Sequence, residues 1–333
     1  MEKADSLKGE QPPVKVIVQE IQTKVIEDRL NLPGSISPWE DLTVQAEVSG
    51  QIVAVPVKEG DIVRPGQVLA RLDRRDYENR VAQAKAAYHL AKADYDRLSN
   101  LLPLNAASTA QVDVSLAHLK EMKANLDSMQ LNLERTMIIT PIPGFINRLD
   151  AKLGMLIERS NPIAQILDTR KVKVEVGIPE SDIKAIQDLE EARIIVEALD
   201  GENYLGRKIF LARQPEPSSR TYTLKLAVDN PEGKLRPGMF TRVELIKHRY
   251  QDAVSIPLYA VIARENERFV YILNDNTAHY RKVELGVLDG WQVQITKGLQ
   301  IGEKVIIVGH RSLEDGQKVD VQQIIHDPGK LME

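Results

Sequence analysis

Any chemistry in this chain must come from histidines, carboxylates, hydroxyls and lysines, because it contains no cysteine. That absence removes disulfides, thiolate zinc sites, iron–sulfur clusters and thiol nucleophiles. The six histidines, His89, His118, His248, His279, His310 and His326, are scattered without metal-ligand spacing. The acidic pairs Asp94/Asp96 and Glu190/Glu191 fall where a solvated face is expected. There is no phosphate loop, no Gly-x-Ser-x-Gly elbow and no His-Glu-x-x-His pair. No catalytic residue, metal ligand or cofactor site is assigned, and the chain is read as a non-enzyme.

The bulk properties narrow the remaining classes. A length of 333 residues suggests two or more domains at roughly 100–200 residues each. A hydrophobic content of 43% with 28% charged residues suits globular cores and excludes a disordered chain. Forty-four Lys+Arg against 48 Asp+Glu leave a net charge of −4, so no basic field favours nucleic acid. Aromatics at 5% argue against stacked base-binding or sugar-binding platforms. No apolar run approaches the ~18–20 residues of a membrane span, and Met1-Glu2-Lys3-Ala4-Asp5-Ser6 has no signal-peptide core.

Two segments repeat around a long insertion. Gly50/Gly144, Ile52/Ile146, Lys58/Lys152, Gly60/Gly154 and Val63/Ile157 share one offset. Val68/Ile163, Leu72/Leu167 and Asp73/Asp168 share an offset one residue larger. Each copy reads as short β-branched runs cut by Gly and Pro, with Gly50, Gly60, Gly66, Gly144 and Gly154 as structural turns. Neither copy is large enough to bury its own apolar face, so the two are expected to pair into one sandwich.

The insertion carries two heptad seams. Tyr77, Val81, Ala84, Tyr88, Ala91, Tyr95, Leu98 and Leu102 form the first; Val112, Ser115, Leu119, Met122, Leu126, Met129 and Leu133 form the second. Between them Pro103 stops one helix and Ser108 caps the next. The spacing predicts two helices of about 29 residues, each about 43 Å long, folded back as an antiparallel coiled coil. After Asp168 the alternation predicts strands at 172–176, 194–199, 222–228, 241–246, 269–273, 282–285, 292–295 and 304–308, with a short helix at 179–186. The apolar alternation at 14–18 and 25–30 has no local partner and is expected to pair with a late β-domain.

The repeat halves resemble the two halves of a biotinyl/lipoyl-type domain. Lys58 and Lys152 stand away from the joint where a carrier lysine would sit, and the helices occupy that joint. A lipoyl-type domain split by a helical hairpin and followed by further β-domains resembles the periplasmic adaptors, or membrane fusion proteins, of tripartite RND-type multidrug efflux pumps (the HlyD/AcrA-like family). Leu32-Pro33-Gly34, then Leu131-Asn132-Leu133-Glu134-Arg135-Thr136 with Thr140-Pro141-Ile142-Pro143-Gly144, then Leu235-Arg236-Pro237-Gly238-Met239-Phe240 before Ile256-Pro257, carry the resemblance in order.

That resemblance implies an α+β, mainly β, elongated multidomain chain. A flexible segment spans 1–13, and a membrane-proximal β-domain is assembled from 14–33 and 250–326. A β-barrel combines 34–43 with 171–249, a lipoyl-like domain combines 44–73 with 138–170, and the hairpin covers 74–136. Joints are expected near 73–76, 136–143, 168–172 and 247–254, with Pro237 and Gly238 in the barrel-to-membrane-proximal passage. The implied partners are an inner-membrane RND transporter, a TolC-like outer-membrane channel and the chain itself, as a hexameric ring or trimer of dimers. In this family an Arg, a Leu four residues on and a Ser seven beyond meet the channel, a spacing matched by Arg97, Leu101 and Ser108. Ala107 replaces the larger aliphatic residue usual before that serine. The implied location is the periplasm, with a signal and an inner-membrane anchor (lipid-modified cysteine or one helix) outside this chain. An adaptor of an ABC-type exporter or type I secretion system is the alternative within the family, and a biotin/lipoyl carrier module the alternative outside it.

Overall fold

A computed structural model describes residues 13–264, 267–326 and 329. The expected flexible segment 1–13 lies, apart from residue 13, outside the described residues. The protein is mainly β with few helices, and its chain divides into two compact units. One comprises 35–175 with 227–240; the other comprises the remaining segments up to 34, 176–226 and from 241 on.

The first unit is built on the repeat. Strand Gly50–Ala54 pairs with Val68–Leu72 of its own half, placing Ile52 opposite Leu72. It also pairs with Leu156–Ile157 of the other half, and Ile62–Val63 reciprocally pairs with Gly144–Leu149. The exchange extends to single hydrogen bonds. The Gly60 amide donates to the Ile146 carbonyl at 3.0 Å, and the Gly154 amide to the Ile52 carbonyl at 2.8 Å. Likewise the Ile146 amide donates to Asp61 and the Ile52 amide to Met155, at 3.0 and 2.9 Å. Every donor and acceptor has its repeat counterpart, so the halves interlock about a pseudo-twofold axis. Their shared core holds Ile52, Val63, Leu69, Ile146, Ile157, Ile163 and Ile166, all almost fully buried.

Gly60, Gly66 and Gly154 occupy turns with φ of +93°, +80° and +82°, where a Cβ would be strained. Gly50 and Gly144 do not. They open strands, and Gly144 is small for a different reason, because a Cβ there would meet the Leu167 carbonyl oxygen at 2.5 Å.

Each half ends on the same clasp. Asp73 accepts from Arg75 Nε at 3.0 and 3.1 Å, and the Arg75 guanidinium holds this carboxyl down to about 2. Asp168 accepts from Arg170 Nε at 3.0 Å, Nη2 at 2.7 Å and the backbone amide at 3.1 Å. Asp168 is only 4% exposed, and its pKa is lowered chiefly by the Arg170 side chain, against burial. A depressed folded pKa contributes stability that is present above the ordinary carboxylate range and lost as pH falls through the folded value. Asp168→Asn is therefore expected to melt below wild type at pH 7, the gap closing as pH drops below about 4. Melting curves across that range check it; a gap independent of pH would assign Asp168 a packing role only.

In the second unit, strand Glu191–Val196 lies antiparallel to Glu202–Leu211 and to Phe240–Pro257, with Ile194 opposite both Tyr204 and Val243. A 3-10 turn at Glu180–Asp182 leads into the short helix Ile183–Ile186, which buries Ile186. The N-terminal strand Val14–Glu20 runs parallel to Gln317–Ile325 and antiparallel to Lys304–Val308, so the orphan alternation at 14–18 does find its partners at the far end of the chain.

Two expected joints fall inside strands. Residues 168–172 lie inside the continuous strand Pro162–Pro179, and 247–254 inside Phe240–Pro257. Both stretches are extended strand, although the alternation lapses at the exposed pairs 170–171 and 248–249. The turn at Pro237 and Gly238 is instead a tight one, with Gly238 at φ +90° and its amide donating to the Ile36 carbonyl at 2.8 Å.

Candidate docking site at the helical turn

Helix α1 (Arg75–Leu101) and helix α2 (Thr109–Glu134) are two residues or more shorter than the seams suggest. Alanine-rich stretches favour α1, and Asp76 and Glu78 in its first turn suit the positive end of the helix dipole. Along both helices the seam positions are the covered ones, and nearly all the rest face solvent. Ala84, Ala91 and Leu126 are the fully buried residues of the pair. Small alanines in α1 let α2 approach, and Lys123 of α2 reaches over the Tyr88 ring of α1 at 5.9 Å.

The base of the helices is tied to the sandwich. Val68–Leu72 and Met137–Ile139, the strands that lead out and back, pair directly with Ala70 opposite Ile138. The Tyr77 hydroxyl donates to the Ser49 carbonyl at 2.7 Å, and Arg135 Nε meets Glu47 at 2.6 Å.

The far end is an ordered turn. Leu102–Leu104 forms one 3-10 turn with Pro103 near its start, and Asn105 takes the left-handed conformation at φ +54°. The Ala106 amide donates to the Leu101 carbonyl at 3.0 Å, closing the reversal. Ser108 starts α2 with a complete capping box: its Oγ accepts from the Gln111 amide at 3.2 Å, and Gln111 Oε1 accepts from the Ser108 amide at 2.9 Å.

The three expected docking residues thus sit at one end of the hairpin in different environments. Arg97 is 69% exposed by side chain and pairs with Asp94 one turn back. Leu101 is half-buried at the reversal, and Ser108 is exposed but already serves as the cap. Beside Arg97 runs an open groove of about 530 Å³ walled by Ala91, Leu98, Ala110, Val114 and His118. The sequence reading missed this groove. Its only signal is Val114, an apolar residue off the seam and 71% exposed. Leu104 is another large apolar residue offered to solvent here, at 72%.

Among the described residues no group of histidines and carboxylates could hold a metal ion, and no helix is long and apolar enough to cross a membrane.

Three family models match consecutive stretches. Residues 40–169 match the barrel-sandwich hybrid domain of RND membrane fusion proteins, 171–249 a CusB-like β-barrel domain, and 253–321 a YknX-type C-terminal permuted SH3-like domain. The chain is 30% identical over 311 residues to the multidrug resistance protein MdtA of Cronobacter turicensis, covering 86% of this chain and 75% of that one. It is 29% identical over 322 residues to MdtA of Salmonella typhimurium, covering 90% and 78%. Among solved structures, a MacA–MexA chimera containing the Pseudomonas aeruginosa MexA α-hairpin domain superposes with a TM-score of 0.71 at 26% identity, covering 86% of this chain and 99% of that one. MacA from Actinobacillus actinomycetemcomitans gives 0.59 at 25%, covering 86% and 98%.

Proposed function

The chain belongs to the membrane fusion protein family of RND-type efflux systems and is a periplasmic adaptor of an efflux pump; from that premise we propose that it joins an inner-membrane RND transporter to a TolC-like outer-membrane channel. The observation that carries this reading is the helical pair itself. It is inserted between two interlocked half-domains, tied at its base by Tyr77 and Arg135, and ends in a capped turn beside an exposed Arg97.

In this reading the pair is a short antiparallel coiled coil that works as a strut, and its turn meets the channel through Arg97, Leu101 and Ser108. The 27 residues of α1 give about 40 Å of reach, which favours an RND partner over a type I secretion system with its much longer hairpins. The barrel (34–43 and 171–249) and the membrane-proximal domain (14–33 and 250–326) grip the transporter. The lipoyl-like domains pack side by side, as a hexameric ring or trimer of dimers around the conduit. Ile62, Leu153 and Leu156, at 81%, 73% and 74% exposure, supply apolar surface for that packing. Each tip contact is small, and several in one ring gain avidity through effective concentration. The role requires export to the periplasm and attachment to the inner membrane, and no step of it involves catalysis.

The test is capture of the tagged protein from cross-linked cells of its own host, followed by identification of the partners. An RND transporter together with an outer-membrane channel is the expected pair. Recovery of an ATP-driven exporter would overturn the RND assignment, and a lipoyl or biotinyl adduct on Lys152 in the intact mass would favour the carrier module.

A further inference from the structure

Strands Ile262–Arg264 and Glu267–Asn274, together with the turn His310–Ser312, enclose a cavity of about 270 Å³. Arg264, Arg311, Tyr259 and His310 stand on its wall. His310 follows the fully buried run Val305, Ile306 and Ile307 and is itself only 6% exposed. Its Nδ1 nevertheless has no hydrogen-bond partner in the structure. Buried polar atoms left in this state are rare and ask for an explanation.

The turn that presents the ring is fixed. Gly309, at φ +84°, packs so closely on the N-terminal strand that a Cβ would meet the Lys15 carbonyl oxygen at 2.6 Å. Arg264 is held along the wall over the Phe269 ring at 5.7 Å. Burial, joined by Arg311, lowers the His310 pKa, while the backbone carbonyls of Tyr259 and Ile307 favour its protonated form. The acidic groups on the same side are Glu314 and Asp315; Asp315 Oδ1 is engaged by the Tyr280 amide at 2.8 Å and faces His279. Tyr271 donates to the Leu313 carbonyl at 2.7 Å.

A second cavity of about 490 Å³ shares Tyr259, His310 and Arg311 and continues over Ile307, Val308 and Gly309. Val308 is 41% exposed there. A recess lined by Arg264, Arg311 and His310, whose buried Nδ1 is unpaired, therefore adjoins an apolar groove across one turn. That juxtaposition suits a ligand with an anionic head and an apolar tail. We propose that the paired cavities bind an anionic phospholipid, its phosphate against Arg264, Arg311 and the protonated Nδ1 of His310, and part of an acyl chain along Val308. Binding takes up a proton at His310, because the phosphate satisfies the nitrogen that burial otherwise keeps neutral. Planar guanidiniums match phosphate oxygens two at a time.

The experiment uses the whole chain and two probes: inorganic phosphate by calorimetry, and flotation with phosphatidylglycerol or phosphatidylcholine vesicles. Phosphate and phosphatidylglycerol vesicles are expected to bind and phosphatidylcholine to fail; phosphatidylglycerol, whose phosphodiester keeps one negative charge across this range, is expected to bind more tightly at pH 6 than at pH 8. The double variant R264Q/R311Q should lose at least about tenfold in affinity for both probes, with an unchanged melting temperature. The charge-matched control R207Q/K297Q, at two exposed cations away from the cavities, should bind as wild type does. His310→Gln should abolish the pH dependence of phosphatidylglycerol binding. Equal losses in the two double variants would reduce the effect to diffuse charge and overturn the site. Phosphate binding without vesicle flotation would overturn the lipid assignment in favour of a free anion, and binding of neither probe would end the proposal.

Discussion

Leu126→Asp is expected to melt α1 and α2 while leaving the β-domains folded. Leu126 is the fully buried large side chain of the helical pair, at 6% exposure, and the other fully buried residues of the pair, Ala84 and Ala91, carry no polar side-chain group. An unpaired carboxylate there costs several kcal/mol, roughly, or must take up a proton. Two helices held by one seam have little else to draw on, since isolated helices of this length are marginal in water. The sandwich core is built from other residues, centred on Ile52, Ile146, Ile163 and Ile166, and is closed at the hairpin base by the pairing of Ala70 with Ile138. Circular dichroism should show the helical bands lost and the strand signal kept, with the strand melting temperature near that of wild type. Leu126→Met, which conserves volume, should change little, within about 1.5 kcal/mol. A single transition that removes helical and strand signals together would show that the sandwich depends on the helices.

The seam was legible because a periodicity of seven residues needs only local sequence, and the covered residues of α1 and α2 are the ones it names. The repeat was legible too, down to Gly60 and Gly154, because turns that need positive φ leave a glycine behind. What the sequence hid was contact between distant segments. Gly144 looks like another turn residue, yet it is small because the Leu167 carbonyl, more than twenty positions on, passes 2.5 Å from where its Cβ would be. Strand Glu202–Leu211 has no clean alternation and went unread. Its Gly206 is the trace of a close approach, since a Cβ there would run into Ile194 Cδ1. The joints expected at 168–172 and 247–254 are a different case. They came from the domain bounds that the resemblance implies, and a long strand can run through such a bound without a break. At the candidate site, the Ser108 cap could be read from the sequence itself, whereas Arg97 was singled out only by the family resemblance. The groove beside Arg97 could not, because its walls come from two helices, and only their packing brings Leu98 and Val114 to one surface.

Arg97→Asp is expected to abolish export while leaving the protein as stable as wild type. The Arg97 side chain is 69% exposed, and its partner Asp94 is a surface residue one helical turn away. Exposed pairs of this kind contribute a few tenths of a kcal/mol, so breaking one and placing a third carboxylate near Asp94 and Asp96 should cost no more than about 0.5 kcal/mol. In the docking role the loss is far larger. A guanidinium presents five donors in a rigid fork, suited to carbonyls and carboxylates at the ends of a channel's helices, and an aspartate there repels those same groups. Multiplied around a ring, each weakened contact also lowers the avidity on which the assembly rests. Ser108 separates this from a folding effect, because its hydroxyl already caps α2 through Gln111. Ser108→Ala should lose about 1 kcal/mol of helix stability, whereas Ser108→Asn keeps a cap and changes only the surface offered to a partner. The measurement pairs the melting temperature of each purified variant with export of a fluorescent substrate in cells dependent on this pump. Arg97→Asp should show normal melting and no export, with transporter capture unchanged because in the proposed role other domains make that contact. Normal melting together with wild-type export would leave Arg97 as a solvated helix residue and move the search for the channel contact to Leu104 and Val114, the apolar side chains that the turn and its groove hold out to solvent.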